Sequence, residues 1–185
     1  MILKYGCATL RAIEEKDCDL LLEMMNNPEV DEYVGSVHLP ISRAMQENWI
    51  KNYSNTEKTI RLMIELENGY TIGMIMLQNI DYINKNAEIG IKTYVPDFTY
   101  RMKHDTEDAI YAMFYYAYNY LNLECIYGYV ITDNKEAIKF NKRLGLHEDG
   151  TIRNKLYVNG EYKDMTVFSM LRNEFYSYIG NCQIK

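Results

Sequence analysis

A chain of 185 residues, 48% hydrophobic and 25% charged, carries apolar material for one compact core, which argues against both disorder and a two-domain plan. Its formal net charge of −6, with no clustered stripe of Lys and Arg, argues against a nucleic-acid surface and opposes no cationic amine. Met1 is followed by Ile2, Leu3 and Lys4 with no long apolar run behind them, so neither a signal peptide nor a membrane span is expected, and the reading is cytoplasmic.

In chain order, alternation from Tyr5 to Ile13 predicts a first strand, and Asp17 stands where a helix cap belongs. Leu20, Leu21, Leu22, Met24 and Met25 supply that helix with apolar positions, and Asn26-Asn27-Pro28 stops it. Ser42 opens a second helix, with Met45, Trp49 and Ile50 on one face, ending near Tyr53. Thr59 to Glu67 and Tyr70 to Ile80 are β-rich runs hinged at Asn68-Gly69, and Ala87 to Val95 extends them to an antiparallel meander. From Thr106 onward Ala109, Met113, Tyr116, Ala117 and Tyr120 recur at helical spacing beside Ile110, Phe114 and Leu121, a broad apolar face to lay on a sheet. Glu124 to Ile131 reads as a strand and Asn134 to Arg143 as a short helix ending at Gly145. His147 to Val158 and Glu161 to Leu171 form a last hairpin around Asn159-Gly160, followed by a polar tail over 173–185. The order β-α-α-β-β-β-α-β-α-β-β gives an α/β (α+β) class with one domain over 1–172.

Cys7, Cys18, Cys125 and Cys182 lack metal-type pair spacing and read as buried or incidental thiols. His38 and His147 have no partner spacing either, so no metal is expected.

Several segments carry a likeness to a known family. They are Asn27-Pro28-Glu29-Val30 with Ser42 and Trp49, Ala87-Glu88-Ile89-Gly90, the run from Asn134 to Leu146, and Gly160-Glu161-Tyr162-Lys163-Asp164. In this order they resemble the GNAT superfamily, and within it the ribosomal-protein alanine, spermidine and amino-sugar-nucleotide N-acetyltransferases, over nearly the whole chain. The resemblance implies a mixed, mostly antiparallel central sheet flanked by helices. In it the strands Ala87 to Val95 and Glu124 to Ile131 run parallel and splay, an orientation the crossover helix between them permits. It implies acetyl-CoA as cosubstrate and a primary amine as acceptor, whether a protein N-terminus, a polyamine or an amino sugar. Glu88 is the implied base, and Tyr94, Val95, Asn134 and Asn141 are implied cofactor contacts. A homodimer through the final hairpin is a further implication. On their residue types alone, Asn134 serves equally as a helix cap and Glu88 as a solvent-facing strand residue.

One turn departs from the family pattern. Where relatives place an Arg or Gln followed by glycines to hold the coenzyme A pyrophosphate, this chain reads Tyr100-Arg101-Met102-Lys103-His104-Asp105-Thr106. Arg101 matches, whereas His104 and Thr106 stand at glycine positions, and a β-branched residue is costly at positive φ. Asp105, Glu107 and Asp108 put negative charge at a helix start that would otherwise favour phosphate. Two readings follow: an enzyme whose turn is remodelled around Arg101, Lys103, His104 and Thr106, or a binding or regulatory module that has lost catalysis. Relatives also place a tyrosine where Asn141 stands, to protonate the departing thiolate. Asn141 has no acidic proton, but a thiol of pKa about 8.5 can leave without one.

Overall fold

The structure is a computed structural model that describes residues 3–28, 39–95, 98–100 and 102–180. Eight strands form one sheet: β1 (Leu3–Tyr5), β2 (Ala8–Arg11), β3 (Ile60–Leu66), β4 (Thr71–Asp81), β5 (Asn86–Thr93), β6 (Cys125–Ile131), β7 (His147–Val158) and β8 (Glu161–Leu171). Their spatial order is β1-β2-β3-β4-β5-β6-β8-β7. Every neighbouring pair is antiparallel except β5 with β6, which is parallel as expected. Among the described residues five α-helices accompany the sheet: α1 (Cys18–Asn26), α2 (Arg43–Tyr53), α3 (Asp105–Asn119), α4 (Lys135–Arg143) and α5 (Arg172–Ile179).

Helix α3 covers one face through its small and bulky apolar positions, with Ala109, Met113, Phe114 and Ala117 fully buried against Ile75, Ala87 and Ile126. On the other face Leu21 of α1 packs with Met63 and Met74 of the sheet, beside Trp49 and Ile50 of α2. The entry to α1 is welded to the sheet by charge. Arg11 donates hydrogen bonds to both oxygens of Asp17 at 2.8 Å and to Glu65 at 2.6 Å. Burial would raise the Asp17 carboxyl, but bonds from Arg11 and the Glu14 N–H outweigh it and hold it below the usual carboxylate range. Asp17 thus occupies the cap position of α1 without capping it, because its oxygens are spent on Arg11 and Glu14.

Two expectations about the ends of the chain need correction. The predicted first strand over Tyr5 to Ile13 is a hairpin, since Gly6 takes φ +51° and folds β1 back on β2, pairing Leu3 with Leu10. A Cβ at Gly6 would lie 2.1 Å from Asp108 Oδ2, and the same carboxylate accepts the Cys7 N–H at 2.9 Å. The polar tail expected over 173–185 is helical as far as Ile179, within α5, and 181–185 lie outside the described residues. Its start is fixed by Glu174, which accepts the Leu171 N–H at 2.9 Å, and Phe175 is fully buried against Phe114 and Tyr118. Ile179 also packs on the core, and the Tyr178 hydroxyl donates to Arg143 O, so several contacts anchor this segment. The turn between β7 and β8 is as predicted, with Asn159 at φ +50° and Gly160 at φ +84°.

Candidate active site

The parallel ladder between β5 and β6 is short. It pairs Asn86 with Cys125, Ala87 with Ile126 and Glu88 with Tyr127, after which β5 continues to Thr93 and β6 to Ile131 without pairing to each other. Where they part, a cleft of about 1640 Å³ opens. Small-molecule pockets commonly hold about 300–1,000 Å³, so the cleft can take a cosubstrate and an acceptor together.

Alternation along β5 turns Ala87, Ile89 and Ile91 into the α3 core and leaves Glu88, Gly90 and Lys92 for the opposite face. Glu88 lines the cleft, and both its oxygens are held: Oε1 accepts from Gln78 Nε2 at 2.8 Å, Oε2 from Asn79 Nδ2 at 2.9 Å. Gln78 lies directly across the β4–β5 ladder. Asn79 reaches the second oxygen because the register shifts between Gln78 and Asp81 and its backbone takes φ +53°. Glu88 is therefore a positioned carboxylate, and two neutral amides orient it without opposing its charge.

Helix α4 supplies the facing wall. Asn134 caps it as the sequence predicts, its Oδ1 accepting the Ala137 N–H at 3.0 Å, and it lines the cleft as well. Asn141, nearly two turns on, is half-buried in the same wall, and its side-chain amide has no hydrogen-bond partner among the described residues. Tyr94 and Val95 also line the cleft just beyond β5. The Tyr94 N–H donates to Ile72 O at 2.8 Å and its hydroxyl to Glu23 at 2.8 Å, which ties this edge of the cleft to α1.

The turn before α3 differs from its expected shape. Arg101 lies outside the described residues. His104 alone takes the left-handed conformation, φ +66° and ψ 13°, while Thr106 sits in the first turn of α3 with no positive φ, so the strain expected at Thr106 is absent. Lys103, His104 and Thr106 do not line the cleft, which meets α3 farther along at Ile110 and Phe114. The three acids are engaged within the protein. Asp105, 4% exposed, accepts from the Met102 N–H at 3.2 Å, the Thr106 N–H at 2.6 Å and Thr106 Oγ1 at 3.0 Å. Glu107 Oε2 lies 2.7 Å from His104 Nδ1 and 3.8 Å from Arg143, and Asp108 accepts from Cys7. These contacts occupy the carboxylate oxygens, while their negative charges stay at this helix start.

Four wall residues escaped the sequence reading. Arg61 of β3 holds its guanidinium 5.4 Å from the Trp49 ring centre and donates to Ser54 O at 3.1 Å, and burial lowers its pKa. Lys92, 8% exposed, places Nζ 3.9 Å from Met25 Sδ. Tyr127 and Tyr129 of β6 pack edge-to-face at 5.9 Å, with Lys155 Nζ over the Tyr129 ring at 6.0 Å. Strand alternation could have paired Tyr127 with Glu88, but only once the register of β5 on β6 was known. Cys182 lies outside the described residues; Cys7, Cys18 and Cys125 are free thiols, and burial, then Asp108, push Cys7 up to about 12.

Residues 10–167 match the model of the acetyltransferase (GNAT) domain family. Among curated proteins, the chain is 27% identical over 174 residues to a putative ribosomal N-acetyltransferase of Bacillus subtilis, covering 90% of this chain and 92% of the relative. It is 26% identical over 168 residues to the spermidine N(1)-acetyltransferase of Vibrio cholerae, covering 90% and 94%. The crystal structure of spermidine N-acetyltransferase from Vibrio cholerae in complex with CoA and spermine superposes with a TM-score of 0.81 at 25% identity, covering 91% of this chain and 97% of that one.

Proposed function

Since the chain belongs to the GNAT acetyltransferase family, we propose that its cleft moves an acetyl group from acetyl-CoA to a primary amine of the polyamine class, with Glu88 as the base. One observation carries this reading: Glu88 stands oriented by Gln78 and Asn79 at the last paired position before β5 and β6 part. An alkylammonium with pKa near 10.4 is almost wholly protonated at neutral pH, so the nitrogen must lose a proton before it can attack. A fixed carboxylate in the cleft takes that proton and passes it to solvent. The Asn141 amide and the cap residue Asn134 support contacts to the pantetheine arm, and Tyr94 and Val95 border the same space. The turn at Lys103, His104 and Thr106, with Arg101, is read as the pyrophosphate end. Its acids are held by Met102, Thr106, His104 and Cys7, so they are fixed in the fold while their charge still opposes a phosphate there.

The polyamine class draws support from the spermidine N-acetyltransferases to which the chain is similar. Arg61 and Lys92 favour a second acceptor class, an amine that also carries an anionic group, as an amino-sugar nucleotide does. The free thiols suit a reducing compartment, so we place the enzyme in the cytoplasm; no described helix is long and apolar enough to cross a membrane. The outer strand β7 is exposed along nearly all of its 12 residues and pairs with β8 alone among the described residues, which supports a homodimer through the last hairpin.

The test is acetyl transfer by the purified protein, read as thiol release and acceptor mass, with spermidine, an N-terminal peptide and an amino-sugar nucleotide as separate acceptors. Acetylated spermidine as the fastest product is the expected result. A faster amino-sugar nucleotide would select the second class, and no product from any amine would overturn the enzyme.

A further inference from the structure

Aminolysis of a thioester sets the incoming nitrogen and the departing sulfur on different corners of one carbon, so assistance to the leaving group comes from a different wall than the base. Glu88 serves the β5 wall. Across from it, Asn141 offers an amide with no acidic proton, and the phenols Tyr127 and Tyr129 of β6 line the same cleft.

Glu88 and Tyr127 are the last cross-strand pair before the strands separate, and both line the cleft. Tyr127 is half-buried, and its hydroxyl has no hydrogen-bond partner among the described residues. Resting on the acetyltransferase reading, we propose that Tyr127 is the hydrogen-bond donor to the thioester sulfur as it departs. Tyr129 is the weaker choice, because it lies two residues beyond the last pair and its ring is covered by Lys155.

The bookkeeping of the step closes. The ammonium gives one proton to Glu88 and the free amine attacks the thioester carbon; a C–N bond forms, the C–S bond breaks, and its electron pair moves to sulfur. Glu88 passes the first proton to water, takes the second from the acylated nitrogen and releases it in turn, and the thiolate takes one proton from water, so one proton is left over in solution. Tyr127 stabilises the developing sulfur anion without having to ionise. That suits its setting: burial first, then the charges of Glu88, Tyr129 and Cys125, hold the phenol above its ordinary range. A phenol so held stays a donor to higher pH than an ordinary tyrosine.

The test is steady-state acetylation of spermidine by the full chain carrying Tyr127→Phe, with Tyr129→Phe alongside. Tyr127→Phe is expected to lower kcat about tenfold to a hundredfold while KM for acetyl-CoA stays within about twofold, and Tyr129→Phe to stay within about threefold. Site-specific replacement of Tyr127 by 3,5-difluorotyrosine keeps the ring and the hydroxyl and guards against a misfolded variant. Its lower phenol pKa is expected to bring a new loss of kcat into the alkaline range. Active wild type with unchanged kcat in Tyr127→Phe, or with no such alkaline loss in the fluorinated protein, overturns the role of Tyr127 alone. A wild type that acetylates no amine overturns the enzyme reading and the Tyr127 role together.

Discussion

On the β5 side of the cleft the key polar group is finished before any ligand arrives, because Gln78 and Asn79 bind both oxygens of Glu88. On the facing side Tyr127 and Asn141 keep a hydroxyl and an amide without protein partners among the described residues. A group that must remove a proton at a fixed point benefits from being oriented in advance, whereas groups that grip a flexible thioester arm must wait for it. The contrast separates what the fold positions from what the ligand completes.

The largest way to break this contrast is to remove the base. Glu88→Gln keeps the shape and the reach to Asn79 but discards the charge, and it should lower kcat at neutral pH by about a hundredfold or more, measured in the thiol-release assay. Loosening the carboxylate without removing it should cost less. Asn79→Gly keeps the left-handed backbone that Asn79 holds at φ +53° and deletes only the amide, so kcat should fall about tenfold with the thermal midpoint little changed. On the open wall, Asn141→Ala removes a donor that the protein itself does not use. Its KM for acetyl-CoA should rise about fivefold, the worth of about one hydrogen bond, with no loss of thermal stability. A stability loss there would mean that Asn141 belongs to the fold and not to the ligand.

The smallest effect is expected at the turn before α3. His104→Gly relieves a left-handed backbone worth about 1 kcal/mol but gives up the contact to Glu107, so thermal denaturation should show a midpoint shifted by only a few degrees. Thr106→Gly, at the other family glycine position, should only weaken α3, by about 0.3 kcal/mol of helix propensity, since Thr106 is already helical.

The sequence carried the fold well where local chemistry decides it. Ser42 and Asn134 read as caps and bond the Met45 and Ala137 N–H groups, and Asn159-Gly160 reads as a tight hairpin turn. It failed where a distant contact decides. Gly6 folds the first strand into a hairpin because Asp108, about a hundred residues away, occupies the space a side chain would need. α5 forms because Phe175 finds Phe114 and Tyr118. The site divides in the same way. Glu88, Asn134 and Asn141 were legible through the family likeness, and all three line one cleft. Arg61, Lys92 and Tyr127 carry no local signature and become site residues only when strand register places them beside Glu88 or α2. The charge of the acids Asp105, Glu107 and Asp108 was legible in sequence, but their partners at Met102, His104 and Cys7 were not, because these are set by the turn and the tertiary fold.

The most direct measurement is the pH dependence of spermidine acetylation by wild type and Glu88→Gln, from mildly acidic to alkaline conditions. If the Glu88 carboxylate removes the ammonium proton, the variant should lose most at acidic and neutral pH and approach wild type as the amine deprotonates on its own, with pKa near 10.4. A loss of equal size at every pH, or no loss at all, would contradict the assignment of Glu88 as the base.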